Sequence, residues 1–187
     1  MLNLANRITI GRIIIVPFFI ASIVYARMDL ALAFFVLAVA SDGFDGYIAR
    51  TRNQKTKLGT FLDPLADKML LVSAFICLTI VKNVPEGLRF PPYVPIIVIS
   101  RDALIVLGSI IIYMLTGDLN IKPTTSGKIT TFFQMLTVAS VLAHFKYSYV
   151  IWNIAVVMTV ISGMGYLLMG SRLLNGNQTT ANKERLN

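Results

Sequence analysis

Six long apolar runs divide this chain, and short polar or charged breaks separate them. Each run is long enough to cross a hydrocarbon core of about 30 Å as a helix. The pattern predicts an all-α integral membrane protein with six transmembrane helices, at residues 8–26, 30–49, 62–82, 94–116, 128–146 and 149–170. Residues 1–172 would form one membrane domain, and the polar tail 173–187 is predicted to be disordered.

The composition agrees with a membrane protein, since 56% of the residues are hydrophobic, 14% are charged, and the mean hydropathy is +0.71. A net charge of +8 would suit nucleic acid or anionic lipid. Because no basic stripe with interleaved aromatic residues occurs, we expect membrane lipids and phosphate-bearing substrates as partners, and no nucleic acid. The single cysteine, Cys77, excludes an internal disulfide and any cysteine-based metal site.

The lysines and arginines predict the orientation of the chain in the membrane. Most of the 17 basic residues fall on the side that also holds both termini. The positive-inside rule therefore places both termini in the cytoplasm. We interpret the first apolar run as a retained helix rather than a signal peptide.

Four carboxylates gather at the predicted cytoplasmic ends of the second and third helices. Asp42 and Asp45 are i, i+3 neighbours, and Asp63 and Asp67 are i, i+4 neighbours, so each pair shares one helix face. An acid near the centre of a membrane helix costs about 2.5–3.5 kcal/mol. Divalent cations would offset that cost, and an oxygen-only site that meets phosphates favours Mg²⁺, with Mn²⁺ as the alternative.

The spacing of these acids is part of a longer motif, D-G-x-x-A-R-x(8)-G-x(3)-D-x(3)-D, which the chain matches without a gap. The residues that carry it are Asp45, Gly46, Ala49, Arg50, Gly59, Asp63 and Asp67. This motif resembles that of the CDP-alcohol phosphotransferases, membrane enzymes that build phospholipids from a CDP-activated lipid.

The resemblance implies transfer of a phosphatidyl group from CDP-diacylglycerol to an alcohol, with release of CMP. It implies two metal ions per site and a homodimer. The orientation predicted from the basic residues places the active site on the cytoplasmic side of the membrane, which we expect to be a bacterial inner membrane. Asp67 would be the catalytic base. The expected metal ligands are Asp42, Asp45, Asp63 and Asp67, and the expected CDP-lipid contacts are Gly46, Ala49, Arg50, Gly59 and Thr60.

The acceptor alcohol is predicted from basic residues elsewhere in the chain. Arg101, Lys122 and Lys128 are expected to bind an acceptor phosphate, although Arg101 with Asp102 could instead be an ion pair that only locks two helices. An opening pattern of Asn3, Asn6, Thr9 and Arg12 is similar to that of the family members that use glycerol 3-phosphate.

Two alternatives stay open at this point. The S-R-D sequence at 100–102 is similar to family members that make cardiolipin from phosphatidylglycerol. A small cation transporter would also place acids inside a membrane, but its polar residues should line a path across the whole bilayer. Here the acids lie on one side, which disfavours the transporter. We rank glycerol 3-phosphate first, phosphatidylglycerol second and the transporter last.

Overall fold

A computed structural model describes residues 4–51, 57–82, 84–116 and 125–184. Within these ranges it describes the backbone alone, without side chains, for residues 4–9, 42–51, 57–67, 86, 109–113, 115–116, 125 and 169–184. Those ranges contain helices and no strand, which confirms the all-α prediction. The helices are α1 (Leu4–Val24), α2 (Met28–Thr51), α3 (Lys57–Ile80), α4 (Tyr93–Thr116), α5 (Thr125–Leu142) and α6 (Ser148–Glu184), with a short 3₁₀ helix at Glu86–Leu88.

Helix α6 continues through the polar tail to Glu184, while the disorder expected for residues 173–187 stays a prediction. Extending an existing helix is far easier than nucleating one, since each added residue fixes one further hydrogen bond. The segment 173–184 has no proline and only one glycine, Gly176, so no residue stops the helix that enters it.

Tight turns join α1 to α2 and α5 to α6. At the first turn the Ala26 N–H donates to the carbonyl of Ile23 (3.0 Å) and the Arg27 N–H to that of Ser22 (2.8 Å). This pair of bonds is the Schellman motif, which satisfies the last carbonyls of a helix and needs a left-handed residue. Ala26 supplies it with φ of 56°, and His144 does the same after α5 with φ of 54°.

The helices pack as two groups, α1 to α3 and α4 to α6, which contacts of α5 and α4 connect. Helix α1 packs against α2 and α3, while α6 packs against α4 and α5. Helix α5 also contacts α2 and α3, and α4 contacts α3. The ends of α2 and α3 that carry the acidic motif therefore belong to the first group, and Arg101 on α4 belongs to the second.

Aromatic side chains close the end of the bundle where α3 turns into α4. Phe90 is buried between Phe75 and Trp152, with ring centroids 5.2 and 5.6 Å away, and its N–H donates to the carbonyl of Leu78. Edge-to-face and tilted aromatic pairs at such distances stabilise a fold beyond the area that they bury. This end of the bundle is thus fixed by packing, opposite to the end that carries the acids.

Within the described residues, one helical segment has both the length and the apolar character to cross a membrane, Ser148–Leu168 of α6. Shorter apolar helical segments occur at Ile10–Val24, Met28–Ser41 and Lys68–Ile80. The prediction of six spans with cytoplasmic termini goes beyond these findings and stays a prediction.

Candidate functional site

The buried face of α2 continues into the acidic motif. Ala31, Phe35 and Ala38 are buried and follow one another at steps of four and three residues. The same steps lead next to positions 42, 45 and 49 on the continuous helix. Asp42 and Asp45 therefore occupy the register that α2 turns toward its neighbours, and Gly46, Ala49 and Arg50 occupy its last turns.

A matching register occurs on α3. Leu70, Leu71 and Ala74 are buried, and Asp67 precedes them by three, four and seven residues. Asp63 lies one turn earlier on the same helix. The second pair of acids thus continues the buried face of α3, as the first pair continues that of α2.

Arg12 on α1 lies close to the level of Asp42 on α2. It is 1% exposed, on the stripe formed by Val16, Phe19 and Ile23. Counting a rise of about 1.5 Å per residue back from the α1–α2 turn places Arg12 level with about residue 40 of α2. Since a buried guanidinium needs anionic or hydrogen-bonding partners, its burial agrees with a polar region at this level. Asn6 and Thr9 lie on α1 before it, and Asn3 lies outside the described residues.

The donor set at this level suits a hard divalent cation. Two aspartates on α2 and two on α3 offer carboxylate oxygens without sulfur or imidazole, and oxygen ligands are those that Mg²⁺ prefers. Gly59 and Thr60 lie in the first turn of α3. Pro64, between the two acids of α3, has no N–H, so the carbonyl of Thr60 lacks its usual helical donor. The residues present thus fit the metal ions that the motif implies.

A second polar cluster lies on α4. Arg101 and Asp102 are 5% and 6% exposed. The Arg101 guanidinium donates to Oδ1 of Asp102 (2.9 Å) and to Oγ of Ser162 on α6 (2.7 Å), and it lies 5.6 Å from the ring centre of Tyr166. Arg101 and Asp102 therefore form an ion pair within α4, and the hydrogen bond to Ser162 links this pair to α6. Contact with an acceptor phosphate stays a prediction.

The cluster extends to α3 through a residue that the sequence analysis did not single out. The Lys68 ammonium donates to Oδ2 of Asp102, which thereby accepts from one cation on each oxygen. Lys68 directly follows Asp67, so this ion pair connects the acidic helix with α4. The only sequence signal was that position, because the partner lies 34 residues away.

The remaining predicted acceptor residues are less constrained by the structure. Lys128 lies in the first turn of α5 with an exposed side chain, and Lys122 lies outside the described residues. The Thr130 hydroxyl on α5 contacts the carbonyl of Met158 on α6 at 3.1 Å. Because α5 and α6 are antiparallel, Lys128 is level with about residue 160 of α6, near the Ser162 that binds Arg101.

Comparison with known proteins tests the family that the acidic motif indicates. The model of the CDP-alcohol phosphatidyltransferase family matches residues 2–161. A probable phosphatidylglycerophosphate synthase of Mycobacterium tuberculosis (strain ATCC 25618 / H37Rv) is 29% identical, over 96% of this chain and 87% of that protein.

Two further relatives carry different names. The CDP-diacylglycerol--glycerol-3-phosphate 3-phosphatidyltransferase of Bacillus subtilis (strain 168) is 32% identical, over 89% of this chain and 94% of that protein. The human cardiolipin synthase (CMP-forming) is 28% identical, over 91% of this chain and 62% of that protein. The resemblance found in the acidic motif is thereby confirmed, and the transporter alternative is set aside. This chain belongs to the CDP-alcohol phosphatidyltransferase family.

Proposed function

We propose that this protein transfers the phosphatidyl group of CDP-diacylglycerol to glycerol 3-phosphate, which gives phosphatidylglycerophosphate and CMP. The observation that carries the proposal is the similarity to the Bacillus subtilis transferase named for these two substrates, which extends over most of both chains. The complete acidic motif supports it, because the residues that this chemistry requires are all present.

The metal ions are part of the same proposal. Two Mg²⁺ ions, or Mn²⁺ ions in their place, would be held by Asp42, Asp45, Asp63 and Asp67. When bound, they would neutralise charge on the diphosphate and on the departing CMP. The registers of α2 and α3 support this assignment, since both pairs of acids continue buried helix faces at the same end of the bundle.

The protein's own residues would bind the lipid and move one proton. Asp67 takes the proton from the acceptor hydroxyl, whose oxygen then forms a bond to the phosphorus next to diacylglycerol. The bond from that phosphorus to the bridging oxygen breaks, and CMP leaves with the electron pair. Arg50 pairs with the diphosphate, while the small residues Gly46 and Ala49 let the nucleotide approach the backbone.

The CDP-lipid site would be completed by the start of α3, where Gly59 and Thr60 lie. The acceptor phosphate would be bound by Arg101, Lys122 and Lys128. A dianionic phosphate needs several converging cations in a partly dry site. The deep burial of Arg101 supports its place in that set.

The surroundings of the enzyme follow from the same proposal. Six helices cross a bacterial inner membrane, both termini are cytoplasmic, and the active site opens to the cytoplasm, where soluble acceptors reach it. Two copies form a homodimer. The basic residues at the predicted inner side support the cytoplasmic orientation, and the apolar segment Ser148–Leu168 supports the membrane location.

Cardiolipin synthesis is the second candidate. The human cardiolipin synthase is also similar to this chain, and the S-R-D sequence at 100–102 favours it. Its acceptor, phosphatidylglycerol, carries one negative charge and two acyl chains. It would therefore need fewer cations and a lateral opening to the lipid.

The two candidates differ in an assay of CMP release. Purified protein in detergent receives CDP-diacylglycerol and Mg²⁺, together with either glycerol 3-phosphate or phosphatidylglycerol. We expect CMP release with glycerol 3-phosphate. Release with phosphatidylglycerol alone would make the protein a cardiolipin synthase, and release with neither would contradict both candidates.

A further inference from the structure

The proposed reaction assigns no role to Lys68, whose sequence neighbour Asp67 is the proposed proton acceptor. It follows Asp67 on α3, and its ammonium reaches across to Asp102 on α4. The other oxygen of the same carboxylate accepts from Arg101 at 2.9 Å. Two cations thus share one carboxylate, and the cluster keeps one net positive charge.

The cluster also keeps donors that its own carboxylate does not use. Arg101 is 5% exposed, yet its Nε has no hydrogen-bond partner among the residues that the structure describes. An ammonium has three donors, and within the same residues Lys68 uses one of them, on Asp102. A buried donor without a partner is costly, and more so on a cation, as is the case for the Nε of Arg101. An anion with several oxygens would satisfy these donors.

The position of the cluster points to the acceptor rather than to the CDP-lipid. Lys68 is adjacent to Asp67, which would take the proton from the acceptor hydroxyl. Glycerol 3-phosphate carries its phosphate and its reacting hydroxyl on one short carbon chain. An acceptor whose hydroxyl lies at Asp67 therefore has its phosphate near the level of Lys68, which is only about 1.5 Å further along the helix axis. The Lys68 side chain is also accessible to a ligand, since 36% of it is exposed.

We propose that Lys68 binds the phosphate of glycerol 3-phosphate together with Arg101, and that Asp102 holds both cations in place for it. This inference rests on the proposed function. It assigns to Lys68 the discrimination between a compact dianion and the single charge of a phosphodiester such as phosphatidylglycerol. A structural counter-ion to Asp102 is the competing role, and the two roles differ in what each variant does to the acceptor's KM.

The first measurement compares KM values in Lys68→Met, Lys68→Arg and wild-type protein. Loss of one charge-assisted hydrogen bond should raise the KM for glycerol 3-phosphate by about tenfold or more. The KM for CDP-diacylglycerol should stay within about twofold, and Lys68→Arg should recover most of the loss because it keeps the charge. Lys82→Met is the matched control, since Lys82 is exposed beyond the far end of α3.

The second measurement uses the neutral pair Lys68→Met with Asp102→Asn. This pair removes one positive and one negative charge, so the net charge of the cluster does not change, and the amide oxygen can still accept from Arg101. A counter-ion role for Lys68 predicts that the pair has the same KM for glycerol 3-phosphate as Asp102→Asn alone. The proposal predicts a higher KM in the pair, because Asp102→Asn alone still keeps the Lys68 ammonium.

The outcomes separate this inference from the function on which it rests. Wild-type turnover of glycerol 3-phosphate, with an acceptor KM that is unchanged in Lys68→Met or equal in the neutral pair and in Asp102→Asn, overturns the role of Lys68 alone. Absence of any wild-type turnover with glycerol 3-phosphate overturns the proposed function and this role together.

Discussion

Removing the carboxylate of Asp102 should destabilise the protein strongly. The Arg101 guanidinium makes two polar contacts with described residues, one to Asp102 (2.9 Å) and one to Ser162 (2.7 Å). Asp102→Ala leaves only the contact to a neutral hydroxyl, while the guanidinium stays 5% exposed. Breaking a buried pair by removing one partner costs about 3–5 kcal/mol, because the other charge is left uncompensated.

The chain provides both a probe and a control for this measurement. Trp152 is the single tryptophan, it is buried, and its ring meets that of Phe90 edge to face, so its fluorescence should report loss of packing. Unfolding would be followed in mixed micelles of increasing denaturing-detergent content. Asp29→Ala is the matched control, because Asp29 is exposed in the first turn of α2. Its loss should cost less than about 1 kcal/mol.

The comparison has a clear refuting result. If Asp102→Ala and Asp29→Ala unfold at the same denaturant content, then Asp102 does not compensate a buried cation. The arrangement of Lys68, Arg101 and Asp102 would then be wrong. If Asp102→Asn lies between Asp102→Ala and wild type, the remaining amide oxygen still accepts a hydrogen bond from Arg101, as the geometry predicts.

Three further predictions concern the metal site, the topology and a turn. Asp63→Asn and Asp67→Asn should each abolish turnover while the protein still folds, because neutral side chains avoid the cost of buried charge, and chelation should stop the wild type reversibly; full activity in excess chelator would contradict this. In a cysteine-free background, a cysteine at Asn53 should be labelled only from the cytoplasm and one at Glu86 only from outside; the reverse labelling would invert the topology. Ala26→Gly should stabilise by about 1 kcal/mol in the same unfolding assay, because glycine adopts positive φ without strain; a destabilised variant would contradict the Schellman turn.

The helices could be predicted from the sequence because each one contains a long apolar run. Their ends could not, since hydropathy follows burial while a helix ends where its backbone hydrogen bonds end. Helix α3 begins at Lys57 rather than at residue 62, and α6 continues through a polar tail to Glu184. In both places the extra turns are polar or mixed in composition, so no apolar run marks them.

The candidate site was predictable to the extent that it is local in sequence. The pairs Asp42 with Asp45 and Asp63 with Asp67 share helix faces by spacing alone, and both positions of each pair lie within one helix, α2 or α3. The ion pair of Lys68 and Asp102 was not predictable, because it depends on which helices become neighbours. Likewise, the deep burial of Arg101 and its contact with Ser162 require the packing of α4 against α6.

Glycerol 3-phosphate, if it is the acceptor, must enter the lipid product. Purified protein is incubated with CDP-diacylglycerol, Mg²⁺ and glycerol 3-phosphate labelled in its glycerol carbons, and the lipids are extracted and identified by mass. We predict that label enters the lipid phase as phosphatidylglycerophosphate, in an amount equal to the CMP released. Labelled glycerol 3-phosphate that stays entirely in the aqueous phase, while CMP is released onto added phosphatidylglycerol, would contradict the account.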